Sequence, residues 1–227
     1  MSKLVLFGNG RGASVAHRFL AKDTTHEIVG FTVDERFMTA ATFRGLPLVP
    51  FEDVEARFPP DGYRMLILLG YQNMNGLRAT KYEQAKAKGY TLESYVASDI
   101  FRVEPIEVGE NCFLMDNQSI SLDVRIGNDV VMWSSNHVGD GTTVGDHAWI
   151  SSHVTVAANV NIGERAFLGI GATVSGRVTV GREGFIGADV LVTADVAAGA
   201  VRVAGQPEDL PMKSNVFMRV MVATGKL

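Results

Sequence analysis

The chain has 227 residues, 21 Lys and Arg against 25 Asp and Glu for a net charge of −4, and 46% of its residues are hydrophobic. That length suits one large or two small domains, each with its own core, and the mildly acidic balance argues against a nucleic-acid or anionic-membrane partner. A single cysteine, Cys112, excludes an internal disulfide framework; with an opening apolar run too short for a signal peptide and no run of membrane length, a cytoplasmic protein is expected.

Lys3 to Phe7 reads as a buried parallel strand, followed by Gly8-Asn9-Gly10-Arg11-Gly12-Ala13-Ser14 and an amphipathic helix from Ser14 to about Lys22. A strand, a glycine-rich turn and a helix N-terminus present free backbone N–H groups to an anion such as phosphate. Ile28 to Val33 reads as a second strand ending at Asp34-Glu35, and Met65 to Leu69 as a third ending at Gly70-Tyr71. Strand ends of an open parallel sheet are where ligands bind. Gly8-x-Gly10-x-x-Ala13 with Asp34 about twenty residues on satisfies the dinucleotide fingerprint, yet only about 98 residues are available here, one mononucleotide half. A nucleotide monophosphate or nucleotide sugar fits that space better than NAD; a tight turn with no ligand is the alternative. Pro59-Pro60-Asp61-Gly62 marks a turn and Tyr82 to Gly89 a helix with its glycine stop.

Around residue 99 the pattern changes. From Val108 to Val192 an aliphatic residue or Met recurs every six positions, fifteen times without a slip, which chance would produce about once in 10⁵ trials. A period of six belongs to a hexapeptide β-helix in which three hexads close one triangular coil of eighteen residues. Glycine follows the aliphatic residue at Gly109, Gly127, Gly139, Gly145, Gly163, Gly169, Gly181 and Gly187, where a tight corner favours a residue without Cβ. The fifth position is mostly small or β-branched, a second inward column. The expected class is therefore α/β plus β, with a Rossmann-like domain over 1–98, a β-helix over 99–201 and a tail over 202–227.

Chemistry is expected where the repeat's own rules fail. Gln118 and Asn136, eighteen apart, place amides in the inward column; His137 comes next and Asp140 three residues later. His137 is the candidate general base, with Asp140 or Asn136 orienting its ring, because imidazole takes up a proton near neutral pH.

The hexads resemble the left-handed β-helix acyltransferases, and with the Gly-loop domain in front the chain resembles the NeuD and PglD type of sugar acetyltransferases. That resemblance implies a homotrimer that moves an acetyl group from acetyl-CoA to the amino group of a nucleotide-linked sugar in glycan or polysaccharide synthesis, without a metal. It also implies that Gly10, Arg11, Gly12, Asp34, Glu35 and Gly70 hold the nucleotide, and that Trp149, Ile170 and Ala188, with Ser152 in the same column, meet CoA between subunits. O-acetylation of a sialic-acid-like sugar and an inactive trimeric scaffold stand as alternatives. The group's histidine is third in its hexad, a place held here by Asp140; His137 is sixth, as in the galactoside and xenobiotic acetyltransferases of the same fold. His147 and His153 are fourth in their hexads, outward positions, and are expected at the surface or an interface. Across a trimer they would keep open a zinc site like that of γ-class carbonic anhydrases, although their spacing differs. Val203-Ala204-Gly205-Gln206-Pro207 resembles the segment that closes many hexapeptide acetyltransferases, with Glu208 in place of the usual Ala. Trp133 and Trp149 are expected outward, in an interface or its cleft.

Overall fold

The computed structural model describes residues 2–102, 104–205 and 209–224. Its first part is β1 (Lys3–Phe7), α1 (Arg11–Asp23), β2 (Glu27–Val33), β3 (Thr42–Phe43), β4 (Leu46–Pro50), α2 (Val54–Arg57), β5 (Arg64–Ile67) and α3 (Gly76–Ala87). The strands form one sheet in the order β3-β4-β2-β1-β5, parallel except for the β3–β4 hairpin. β1 is buried on both sides after Lys3, as its unbroken apolar run requires. Helix α1 starts three residues earlier than expected and α3 six residues earlier. In both cases the first turn lacks apolar periodicity and is held by tertiary contacts instead.

The remainder is a left-handed parallel β-helix built from two-residue strands. Pairing begins at Tyr95–Val96, before the first clear hexad, and ends at Val201–Arg202. Three parallel sheets run the length of the prism, each strand stacking on the one eighteen residues earlier except the last, Val201–Arg202, which stacks on Phe185–Ile186 sixteen residues earlier. From Leu114 to Val192 the second residue of each strand points inward and is buried, as at Ile120, Val138, Ile150 and Val174. The first points outward, and these outward residues give each face its character. One face carries Tyr95, Phe113, Val131, Trp149, Phe167 and Phe185; the next carries Phe101, Ser119, His137, Thr155, Thr173 and Leu191; the third carries Glu107, Arg125, Thr143, Asn161 and Thr179.

The corners obey a rule that the glycine pattern only partly discloses. Left-handed backbone recurs at the fourth residue of every hexad from Asn111 to Asp189, with φ between 54° and 71°. The glycines of the second position, by contrast, do not have positive φ. They are needed because the next coil lies directly above: a Cβ on Gly163 would sit 2.6 Å from the backbone nitrogen of Arg182. The corner therefore excludes Cβ by crowding, and the conformational cost falls on Asn, Asp, His and Arg two residues later.

The aromatic face is covered by the N-terminal domain. Phe19 of α1 meets Tyr95 and Phe113 edge-on, and Tyr71 lies 5.3 Å from Trp149 and 4.8 Å from Phe167 between ring centroids. Trp149 is outward from the prism as expected, but it is buried within its own chain. A helix α4 (Ser214–Ala223) follows the prism and has no buried residue. Of the expected closing segment, residues 206–208 lie outside the described residues.

Candidate active site

A cavity of about 760 Å³ opens between the two domains. Its floor is the ends of β2, β1 and β5: Asp34 and Phe37, then Gly8 to Ala13, then Leu68 to Gln72. Trp133 and Trp149 of the prism form the opposite wall. Of the residues expected to hold a nucleotide, Gly10, Arg11, Gly12, Asp34 and Gly70 all line it. Glu35 does not; it begins a short turn in which its backbone N–H donates to a Glu52 carboxylate oxygen at 3.0 Å.

The Gly loop leaves backbone donors open at the cavity floor. Gly8 has φ +118°, and a Cβ on Gly12 would come within 2.9 Å of the Leu68 carbonyl oxygen, so α1 can begin only at this distance from β5 without a side chain there. No side chain caps α1, and its first N–H groups are available to a ligand. Lys81 projects from α3 into the same cavity, its Nζ 2.5 Å from Asp34 Oδ1 and 2.8 Å from Gln84 Oε1.

At the prism wall the two inward amides have a structural reason. Nε2 of Gln118 and Nδ2 of Asn136 both donate to the Trp133 carbonyl, at 2.7 and 2.5 Å, and Asn136 Oδ1 accepts from the Val154 N–H at 2.8 Å. They draw the Trp133–Ser135 corner inward and fix it. Trp133 itself stands where most hexads keep glycine, packed 6.0 Å from Trp149. Four residues along the chain, past that corner, His137 emerges exposed on the adjacent face.

His137 is not oriented by either expected partner. Asn136 is turned into the prism, and Asp140 Oδ1 accepts from the Leu122 N–H at 3.1 Å in the coil below. The ring's side-chain neighbour is Ser119, whose Oγ lies 3.4 Å from Nδ1, placed there by the eighteen-residue stacking of the two strands. Sequence reasoning missed Ser119, although the register that stacks Gln118 under Asn136 puts Ser119 under His137 as well.

The other two histidines part company. His153 sits exposed at a left-handed corner on the same prism edge as Trp133, its N–H donating to the Ser134 carbonyl at 3.2 Å. His147 occupies the equivalent position on the edge facing α3 and, contrary to expectation, is buried. Its Nδ1 is 2.8 Å from Asp129 Oδ2, and its ring packs 5.4 Å from that of Tyr82. Burial pushes the Tyr82 hydroxyl up to about 12 and the Cys112 thiol likewise to about 12, which leaves neither group ready to ionise near neutral pH. The fourth-position column Asn111, Asp129, His147 and Arg165 is in fact the joint between domains: Asn111 bonds both backbone groups of Ile67, Asp129 pairs with Arg78 of α3, and Arg165 Nε donates to the Met74 carbonyl.

Ser152, Ile170 and Ala188 form one vertical track on the edge that also carries Trp133 and His153, each separated by one coil. Trp149 stands apart from that track, in the cavity wall. Among the described residues, no group of three or more His, Cys, Asp and Glu side chains is placed to hold a metal ion, and no helix is long and apolar enough to cross a membrane.

The sequence matches no protein-family model and no curated protein. Solved structures match its fold. The acetyltransferase domain of PglB from Neisseria gonorrhoeae FA1090 superposes with a TM-score of 0.77 at 19% identity, over 88% of this chain and 96% of that one. PerB from Caulobacter crescentus, solved in complex with CoA and GDP-perosamine, gives 0.76 at 23% identity over 88% and 93%. WeeI from Acinetobacter baumannii AYE gives 0.77 at 16% identity over 90% and 97%. The likeness is one of fold, and it includes both the N-terminal sheet and the prism.

Proposed function

We propose that the protein transfers the acetyl group of acetyl-CoA to the amino group of a nucleotide-linked amino sugar, with His137 as general base. The observation that carries this reading is one of placement: the Gly loop and Trp133 line the same cavity, and Trp133 stands four residues before an exposed histidine. The cavity joins an uncapped helix N-terminus and Gly loop, suited to a diphosphate, to Trp133, and the corner beginning at Trp133 leads to an exposed histidine. A sugar linked to a nucleotide in the loop extends toward that corner. The fold-level match to a protein solved with CoA and GDP-perosamine supports the pairing of ligands.

In the reaction, the neutral amine attacks the thioester carbonyl and His137 Nε2 takes the proton that the new amide nitrogen sheds. The tetrahedral oxyanion is held by a backbone N–H at a coil corner, and CoA leaves as the thiolate, which the imidazolium can reprotonate. Ser119 Oγ, beside Nδ1, orients the ring and accepts or donates according to its tautomer. The pantetheine arm lies along Ser152, Ile170 and Ala188, where Ile170 offers an exposed apolar surface. A homotrimer is part of the same reading: the face that bears His137 is bounded by exposed Phe101 and Leu191, side chains that neighbouring prisms would cover while closing a cleft over the track. Surface-polysaccharide synthesis in the cytoplasm is the setting such a substrate implies.

The test is release of CoA thiol from acetyl-CoA with a panel of nucleotide amino sugars and free sugars as acceptors. Turnover confined to nucleotide-linked amines supports the assignment. Turnover only with hydroxyl acceptors, or with none, rejects it.

A further inference from the structure

Two large aromatic side chains stand open in the cavity, one toward each end. Phe37 is 51% and Tyr71 54% exposed. Phe37 follows β2, on the side of Asp34; Tyr71 follows β5, braced against Trp149 and Phe167 on the side that leads to Trp133. The turn carrying Phe37 is held in place from two directions. Besides the Glu35–Glu52 bond, the side-chain amide of Asn9 in the Gly loop donates to the Phe37 carbonyl at 2.8 Å, so the backbone that carries the ring is tied to the loop itself. The Arg36 guanidinium lies 4.7 Å from the Phe37 ring centroid. Beside them, Asp34 Oδ1 is engaged by Lys81, while Oδ2 has, among the described residues, Arg36 at 4.0 Å and retains capacity to accept a hydroxyl proton.

We infer that a nucleotide lies across the strand ends in one direction, its base stacked on Phe37 and its sugar pointing past Tyr71 toward Trp133. This rests on the acetyl-transfer reading for the nucleotide's presence and adds the base platform and the polarity. A flat apolar ring, a carboxylate one residue beyond the same strand and an anion site at the next strand end match, in order, base, ribose and phosphates. Stacking uses the π face that every base possesses, so Phe37 recognises a nucleobase as a class. The reverse direction would put the base on Tyr71 and send the sugar to Phe37, away from His137.

The experiment is calorimetric titration of GDP, of UDP and of a nucleotide amino sugar into the wild-type protein and into Phe37→Ala, Phe37→Trp and Tyr71→Ala. Loss of one base–aromatic stack weakens binding about ten- to a hundredfold. Phe37→Ala is expected to weaken the bare nucleotides and the nucleotide sugar by that same factor, and Phe37→Trp to restore both. Tyr71→Ala is expected to weaken the nucleotide sugar more than the bare nucleotides. Phe37 is half-exposed, so an unchanged melting curve separates a binding effect from a folding one. Phe37→Ala within twofold of wild type overturns the platform, and Tyr71→Ala weakening bare nucleotides as much as Phe37→Ala overturns the polarity. Failure of the wild-type protein to bind either nucleotide removes this inference together with the acetyl-transfer reading, an outcome distinct from the other two.

Discussion

Replacing Arg78 by Met tests whether the two domains are locked into one working unit. Arg78 is fully buried on α3; its Nε lies 3.1 Å from Asp129 Oδ1, and Nη2 donates to the carbonyls of Asp129 at 3.0 Å and His147 at 2.7 Å. Asp129 is also fully buried, and its remaining partners are Asn111 Nδ2 at 2.6 Å and His147 Nδ1 at 2.8 Å. Methionine keeps the aliphatic length but strands a carboxylate without its cation. Breaking one side of a buried pair costs about 3–5 kcal/mol. The individual hydrogen bonds would sum to more, but they belong to one cluster and do not add. At roughly 2–4 °C per kcal/mol for a chain of this size, the melting midpoint should fall by about 6–20 °C. Unfolding followed by tryptophan fluorescence reads the joint directly, since Trp133 and Trp149 both face the cleft beside it. Adding Asp129→Asn to the variant should recover about 1–2 kcal/mol, because no buried charge is then left alone. An Arg78→Met protein within about 1 kcal/mol of wild type would refute the account of the joint.

Three further outcomes are expected. Gly163→Ala forces a Cβ against the Arg182 nitrogen of the next coil and should destabilise the prism by about 1–3 kcal/mol in urea unfolding, whereas Gly10→Ala, with no heavy atom within 4 Å of its added Cβ, should leave stability unchanged. Ser119→Ala removes the neighbour of His137 Nδ1 and should lower kcat by about tenfold at most, with KM for acetyl-CoA unmoved, because it perturbs ring orientation and not binding. The Asp23 carboxyl is held below its ordinary 3.8 by bonds from the Ser98 hydroxyl and N–H, with Tyr95 adding a third at 3.0 Å. Its contribution is present above that ordinary value and fades as pH falls through the lower folded value. Asp23→Asn should therefore flatten the acid limb of a stability–pH profile, and an acid limb identical to wild type would show the contact to be idle.

The prism was legible because a hexad repeat leaves a mark on every coil: one inward aliphatic column and one small-residue column are enough to specify register. The same register sets which residues of the proposed site are neighbours, since it stacks His137 on Ser119 and Ile170 on Ser152. What the sequence concealed is how the outward residues are used. His147 occupies an outward position in its hexad, yet it is buried because α3 of another domain closes over it, and nothing in the local pattern signals a neighbour so distant along the chain. Trp149 shares that history. Gln118 and Asn136 were visible as anomalies, but their meaning was indirect: they bind the carbonyl of Trp133 and so shape the corner, while the ring of His137 is met by Ser119. The Gly loop was readable from spacing alone, and the platform at Phe37 was not, because an aromatic residue after a strand has no distinguishing sequence context.

The most direct test of the central claim is turnover by three single variants, His137→Asn, His147→Asn and His153→Asn, in the acetyl-CoA thiol-release assay with the best nucleotide amino sugar. General-base catalysis contributes about 10²–10⁴-fold. The account predicts a fall of that size in His137→Asn, whose exposed side chain leaves the fold intact, and turnover in His153→Asn within a few-fold of wild type. His147→Asn should lose thermal stability through the joint with Asp129 while retaining kcat wherever it remains folded. Wild-type turnover in His137→Asn, or a loss of chemistry confined to His153→Asn, would contradict the account.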